Sequence, residues 1–115
     1  MHKYTELNRN VRIPLNNFLK GLPKTIYTII LFGSASRKEE RKESDIDILV
    51  VLDKPASLDD NKKNAEATAH HPISIFQCTM ADFQENKDHV IIQARKTGFP
   101  IYKEQNFYEV MLDGY

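Results

Sequence analysis

The chain has 115 residues, with 16 basic and 16 acidic side chains and a formal net charge of zero; 41% of its residues are hydrophobic and 28% are charged. This length fits a single domain over residues 1–115, and the charge balance gives no overall attraction to nucleic acid or to an anionic membrane. The longest apolar run, residues 29–32, is too short to span a bilayer, and the N-terminus lacks the apolar core of a signal peptide. The single Cys78 excludes a disulfide framework. We therefore expect a cytoplasmic protein with no membrane partner.

Hydrophobic spacing predicts the first elements. Apolar residues at helical spacing indicate a helix over about residues 11–22. The unbroken β-branched and aromatic run over residues 24–32 favours a strand that is covered on both faces. A short charged helix over residues 37–43 and a second strand over residues 45–52 follow.

Helices and strands are also predicted to alternate in the second half of the chain. A capping-box pattern opens a helix over residues 57–69, which has few apolar side chains and is therefore expected to pack weakly. A third strand is predicted over residues 72–78, a single helix over residues 80–97 and a fourth strand over residues 99–103. The apolar residues 107–112 predict a last helical turn with an exposed surface for association. The pattern indicates an α/β sandwich with a small mixed sheet.

Two carboxylates open the second strand. Asp45 and Asp47 are separated by one residue, so they project from the same face of the strand, ~6–7 Å apart along it. Two carboxylates this close repel, and one retains its proton unless a cation lies between them. Mg²⁺ is commonly held by one or two carboxylates together with substrate phosphates. Asp is depleted in strands, so two Asp residues at the head of an apolar strand favour a metal site. The alternative is that both carboxylates face solvent in an ordinary domain that binds no nucleotide.

Gly33 and Ser34 end the first strand and precede the charged helix. Glycine lets the backbone come close to a ligand, and the N–H groups and positive dipole at the start of a helix favour a phosphate. A phosphate site facing a carboxylate pair predicts a site for a metal-bound nucleotide.

The pattern G-S-x10-D-x-D, following one apolar strand and opening another, resembles the signature of the polymerase-beta nucleotidyltransferase superfamily. The small size resembles its minimal branch, which often forms the antitoxin half of HEPN/minimal-nucleotidyltransferase pairs. The resemblance implies a two-layer α/β (α+β) sandwich with a mixed sheet of about four strands and flanking helices.

The resemblance also implies roles for individual residues. Asp45 and Asp47 would be catalytic and would hold Mg²⁺ (or Mn²⁺), while Gly33, Ser34 and Arg37 would bind the nucleotide. The implied reaction transfers a nucleoside monophosphate, AMP from ATP or the equivalent from another NTP, to a hydroxyl acceptor. We expect that acceptor on a partner protein such as a helical HEPN toxin, or within a homo-oligomer, and not on a nucleic acid.

The chain departs from the family on the third strand, where relatives carry a third carboxylate. Ser74 stands at that position, as the tentative third-ligand residue, and Asp82 on the following helix is the next candidate. This departure supports an alternative function, a catalytically weak or inactive nucleotide-binding antitoxin that acts by protein–protein binding.

Overall fold

The computed structural model describes Leu7 and residues 9–33, 45–54, 56–69 and 72–113. In chain order the elements are α1 (Arg9–Phe18), β1 (Ile26–Phe32), β2 (Ile46–Leu52), α2 (Asp59–Glu66), β3 (Ile73–Thr79), α3 (Met80–Glu85), α4 (His89–Thr97), β4 (Phe99–Tyr102) and α5 (Glu104–Asp113). No helix among them is both long enough and apolar enough to cross a membrane. The charged helix predicted over residues 37–43 lies outside the described residues.

The strands form one mixed sheet in the order β3-β2-β1-β4. β1 pairs antiparallel with both β2 and β4, whereas β2 and β3 run parallel. The central strands β1 and β2 are buried over nearly their whole length, because helices cover both of their faces, as the unbroken apolar runs predicted. The expected α/β class with a small mixed sheet of four strands and flanking helices is confirmed.

Two hydrophobic clusters lie on opposite faces of the sheet, because successive strand side chains alternate between the faces. On the α1/α2 face the cluster includes Val11, Leu15, Phe18, Ile29, Leu31, Ile46, Ile48, Val50, Leu58 and Ala65. On the α3–α5 face it includes Ile30, Phe32, Leu49, Val51, Phe83, Ile91, Ala94, Phe107 and Val110. Helices therefore pack on both faces, which adds a layer to the two-layer sandwich that the resemblance implied.

Helix α2 packs more firmly than its composition predicted. Leu58 and Ala65 are buried, and so is the amide of Asn61. The Asn61 side-chain nitrogen donates hydrogen bonds to the backbone oxygens of Phe18 and Lys20, at 2.9 and 2.8 Å. The prediction of weak packing was wrong, because one buried amide satisfies carbonyls at the end of α1 that apolar counting does not register. The predicted capping box is not formed, since the N-cap residue is Leu58, but the hydroxyl of Ser57 accepts a hydrogen bond from the backbone N–H of Asp59 at 3.5 Å.

The single helix predicted over residues 80–97 is two helices. A capping box between Thr79 and Asp82 opens α3, as its sequence indicated. Asn86 then adopts a left-handed conformation, with φ 56°, and ends α3. The Asp88 side chain accepts a hydrogen bond from the backbone N–H of Val90 and starts α4. Hydrophobic periodicity missed the break because polar caps, rather than a gap in the apolar residues, define it.

Helix α5 is longer and less exposed than predicted. It extends over Glu104–Asp113, and Phe107 and Val110 are buried on the α3–α5 face. Only Leu112 of the apolar residues in this segment is strongly exposed, at 75%. The predicted apolar association surface is therefore mostly internal, because the sheet itself covers it.

We expect Asn61→Ala to lower the free energy of unfolding by about 1–3 kcal/mol, because it leaves two backbone carbonyls without their buried donor. Urea unfolding followed by circular dichroism measures the change. Asn64→Ala is the matched control, since Asn64 lies in the same helix and is exposed. Equal stability of the two variants would contradict the role assigned to Asn61.

Candidate active site

Asp45 and Asp47 lie where the end of β1 meets the beginnings of β2 and β3. Asp47 pairs with Phe32 of β1 on one side and with Ser74 of β3 on the other. Asp45 directly precedes β2 and is exposed, whereas Asp47 is half-buried. Since Asp47 alternates with the buried Ile46 and Ile48, its carboxylate lies on the α3–α5 face. The structure thus brings the two predicted carboxylates together on one face.

Ser74 lies beside both carboxylates. It is the register partner of Asp47, and its hydroxyl donates a hydrogen bond to Oδ2 of Asp45 at 2.8 Å. This is the neighbourhood expected from the strand register. A role for Ser74 as a third ligand stays a prediction.

Gly33 follows β1 and approaches Asp47 closely. Its φ of +76° lies in the left-handed region, and a Cβ atom placed on it would lie 2.6 Å from Oδ2 of Asp47. The sequence predicted that glycine was needed here for a phosphate. In the structure the group that occupies the space of the missing side chain is the Asp47 carboxylate. Glycine is therefore required at this position by both backbone conformation and packing.

The electrostatics of the pair favour a cation. Burial, and secondarily the neighbouring Asp45 carboxylate, raise the pKa of Asp47 above its ordinary value. Among the described residues there is no group of three or more His, Cys, Asp or Glu side chains that could hold a metal. Two carboxylates are nevertheless sufficient protein ligands for Mg²⁺ when nucleotide phosphates supply further oxygens. The donor set therefore fits Mg²⁺ or Mn²⁺ bound together with a nucleotide.

Three other residues were predicted from the sequence to belong to this site. Ser34 and Arg37, predicted to bind the nucleotide, lie outside the described residues. Asp82 lies beyond the opposite end of β3, where it belongs to the capping box with Thr79. Ser74 and Thr79 are separated by roughly 16 Å of strand at ~3.3 Å per residue. Asp82 is therefore not a third ligand for the carboxylate pair.

Phe76 is a residue of the site region that sequence reasoning missed. It follows Ser74 by two residues on β3, and its ring lies 5.8 Å from the Phe32 ring, between centroids. Phe76 is 38% exposed although it is large and apolar. The alternation of β3 could have placed it beside Ser74, but its exposure depends on which helices cover the strand.

Comparison with known proteins identifies the class. Residues 14–106 match the nucleotidyltransferase domain. Because this match spans most of the chain, the protein belongs to the nucleotidyltransferase domain family, and the predicted resemblance is confirmed.

A solved structure, described as "Crystal structure of the toxin-antitoxin with AMP-PNP", has the same fold. Its TM-score is 0.64, with 15% sequence identity, and the similarity covers 93% of this chain and 84% of that chain. No curated protein sequence matches the chain.

We expect Gly33→Ala and Gly21→Ala to lose similar stability from backbone strain, about 1–2 kcal/mol each, because both glycines have positive φ. Only at Gly33 does the new methyl group meet Asp47, whereas nothing lies within 4 Å of a Cβ at Gly21. Titration calorimetry with ATP and Mg²⁺ should therefore show weakened binding for Gly33→Ala alone. Equal binding losses in both variants would refute a specific contact between Gly33 and the site.

We expect Asp47→Asn to raise the melting temperature near neutral pH when no divalent metal is present. The raised pKa of Asp47 means that the folded protein is favoured most while this carboxyl is protonated, below its unfolded-state pKa. That stability is lost as the pH rises through the folded-state pKa, so the advantage of the variant should vanish in acid.

Melting curves across this pH range, with and without Mg²⁺, measure the effect. Mg²⁺ should stabilise the native chain and not Asp47→Asn. Asp53→Asn is the control, because Asp53 is exposed beyond the opposite end of β2. An Asp47→Asn variant that is less stable than the native chain at every pH would contradict the assigned repulsion.

Proposed function

We propose that this protein transfers a nucleoside monophosphate, AMP from ATP, to a hydroxyl acceptor and releases pyrophosphate, with Mg²⁺ or Mn²⁺ as its cofactor. The observation that carries the proposal is the placement of Asp45 and Asp47 on one face, with Asp47 against the turn at Gly33. Membership of the nucleotidyltransferase domain family supports the same reaction class. We also propose a cytoplasmic location.

Each residue has a distinct task in this proposal. Asp45 and Asp47 would hold the metal, which would supply positive charge to offset that of the phosphates during an in-line displacement. Gly33 keeps the backbone clear of the Asp47 carboxylate, so that this carboxylate holds its position. Ser34 and Arg37 contact the phosphates that leave as pyrophosphate, as the family motif implies.

The reaction also requires a base that takes the proton of the acceptor hydroxyl. The acceptor oxygen forms a bond to the α-phosphorus, the bond from that phosphorus to the pyrophosphate oxygen breaks, and the hydroxyl proton passes to a carboxylate. Oδ2 of Asp45 accepts a hydrogen bond from the hydroxyl of Ser74. Asp45 is exposed, so its carboxylate is accessible to an acceptor hydroxyl, and we propose it as the base on that ground.

We propose that the acceptor hydroxyl is on a protein, namely a helical HEPN-type partner. Residues 14–106 match one nucleotidyltransferase domain, and in this proposal a second subunit supplies the acceptor. The structural neighbour is a toxin-antitoxin determined with AMP-PNP, which supports a nucleotide and a protein partner together. A second copy of this chain is the other source of an acceptor.

A second candidate is an antitoxin that binds its partner without fast chemistry. Ser74 favours it, because this residue stands where the family implies a third carboxylate, and a hydroxyl is both a poor base and a weak ligand for a hard cation. In this case nucleotide binding would persist while transfer would be slow.

The experiment is transfer of the α-phosphate label of ATP to the product of the neighbouring gene, the proposed partner, at saturating Mg²⁺. We expect the native chain to label the partner, Asp47→Asn to abolish labelling and Asp53→Asn to preserve it. Ser74→Asp should raise the rate, up to about 10²-fold, since a positioned base contributes roughly 10²–10⁴-fold.

The outcomes separate the candidates. The second candidate would be supported if the native chain bound and neutralised its partner without labelling it, while the Ser74→Asp variant did label it. Equal labelling by Asp47→Asn and the native chain would overturn the enzymatic proposal. A fast native enzyme slowed by Ser74→Asp would show that Ser74 does not occupy the position of a third ligand.

A further inference from the structure

A cavity of about 690 Å³ opens between β3 and α4, next to the carboxylate pair. Its lining includes Leu49 and Phe76. These residues follow Asp47 and Ser74 by two positions on β2 and β3, which places them on the same face and ~6–7 Å further along the sheet. The cavity therefore begins where the carboxylate site ends.

The cavity offers an aromatic surface. Phe76 is 38% exposed, and the ring of Phe32 lies 5.8 Å from it at an interplanar angle of 53°. Phe32 itself is buried, so it supports the Phe76 ring from the protein side. Aromatic side chains prefer offset or edge contacts with other flat rings, and a half-exposed ring in a concave site is suited to a planar ligand.

The lining near the ring is uncharged. Val90 and Ile91 of α4 contribute apolar side chains. Burial raises the pKa of the Cys78 thiol to about 12, with smaller effects of Asp82 and Asp88, so the thiol is neutral. The charged lining residues lie on α3 and on the connection to α4, namely Asp82 and Glu85 of α3 and Lys87 and Asp88 of the connection. Carboxylates outnumber the single lysine there, which favours a ligand whose edge donates hydrogen bonds.

The geometry of the reaction points the nucleoside toward this cavity. In an in-line displacement the leaving pyrophosphate and the acceptor lie on opposite sides of the α-phosphorus, and the ribose leaves it at roughly a right angle to that axis. With the pyrophosphate near the turn that follows β1 and the acceptor toward Ser74 on β3, as the proposed function has them, the axis runs across the strands. A ribose at a right angle to this axis fits along the strands, and the cavity lined by Leu49 and Phe76 lies in one of the two directions along them.

We propose that this cavity is the nucleoside subsite, in which Phe76 stacks on an amino-bearing purine base of the bound nucleotide. The inference rests on the proposed function for the position of the phosphates. Phe76 is in this role a binding residue that determines base preference, because a pyrimidine such as uracil offers a smaller stacking surface and no amino group to the acidic rim.

The experiment measures binding of ATP, UTP, AMP and inorganic tripolyphosphate, each with Mg²⁺, by titration calorimetry. Phe76→Ala and Phe76→Leu should weaken ATP binding by about 10- to 100-fold, the range that stacking on one aromatic residue supplies. Phe76→Tyr keeps the ring and should stay close to the native affinity. Ile92→Ala is the matched control, because Ile92 is a similarly exposed apolar residue on α4 that does not line the cavity.

Tripolyphosphate should bind equally to all variants, since it lacks a base, and the native chain should prefer ATP to UTP. The inference would be overturned if Phe76→Leu bound ATP as tightly as the native chain does. It would also be overturned if the native chain bound ATP no more tightly than tripolyphosphate. Failure of tripolyphosphate to bind would count instead against the proposed phosphate and metal site. In that event, AMP binding that is lost in Phe76→Leu and retained in Phe76→Tyr would still support the subsite.

Discussion

The site depends on the placement of β2 between an antiparallel and a parallel neighbour. Ile46, Ile48 and Val50 are buried on the α1/α2 face, and this burial sets which residues of β2 face the other way. A slip of one residue would place Asp47 among the apolar side chains of the α1/α2 face and move the isoleucines to the α3–α5 face, because strand side chains alternate between faces. The same hydrophobic pattern that stabilises the sheet therefore holds the carboxylate between Phe32 and Ser74.

The carboxylate site opposes the stability of the fold around it. Asp47 is half-buried, its pKa is raised by that burial and by Asp45, and its Oδ2 occupies the space beside Gly33 that any other residue would fill. Local rules of packing and charge are commonly broken where a protein binds a ligand. Here the surrounding strands β1 and β2 are almost wholly buried, and this rigid apolar frame holds two like charges close together.

The break between α3 and α4 shapes the cavity beside this frame. Arg95 ties the two helices together, because its guanidinium donates a hydrogen bond to the backbone oxygen of Phe83 at 2.8 Å and lies over the Phe83 ring. Phe83 is completely buried, so α3 is anchored to the sheet, while α4 contributes one wall of the cavity. A continuous straight helix over residues 80–97 could not both bury Phe83 against the sheet and form this wall of the cavity. The turn at Asn86 thus connects the local capping chemistry to the shape of the proposed nucleoside subsite.

The sequence by itself determined the four strands, the α/β class and the pairing of a Gly33 turn with Asp45 and Asp47, because these features depend on local patterns with a period of two and on motif spacing. The family resemblance implied that Ser74 lies beside the carboxylates, and the parallel pairing of β2 and β3 in the structure makes Ser74 the register partner of Asp47. Only the tertiary structure decided that Asn61 anchors α2 to α1, that Phe107 and Val110 are covered, and that Phe76 is left open beside a cavity. Each of these depends on which distant element packs on a given side chain, and hydrophobic periodicity measures only whether a side chain can be buried, not what buries it.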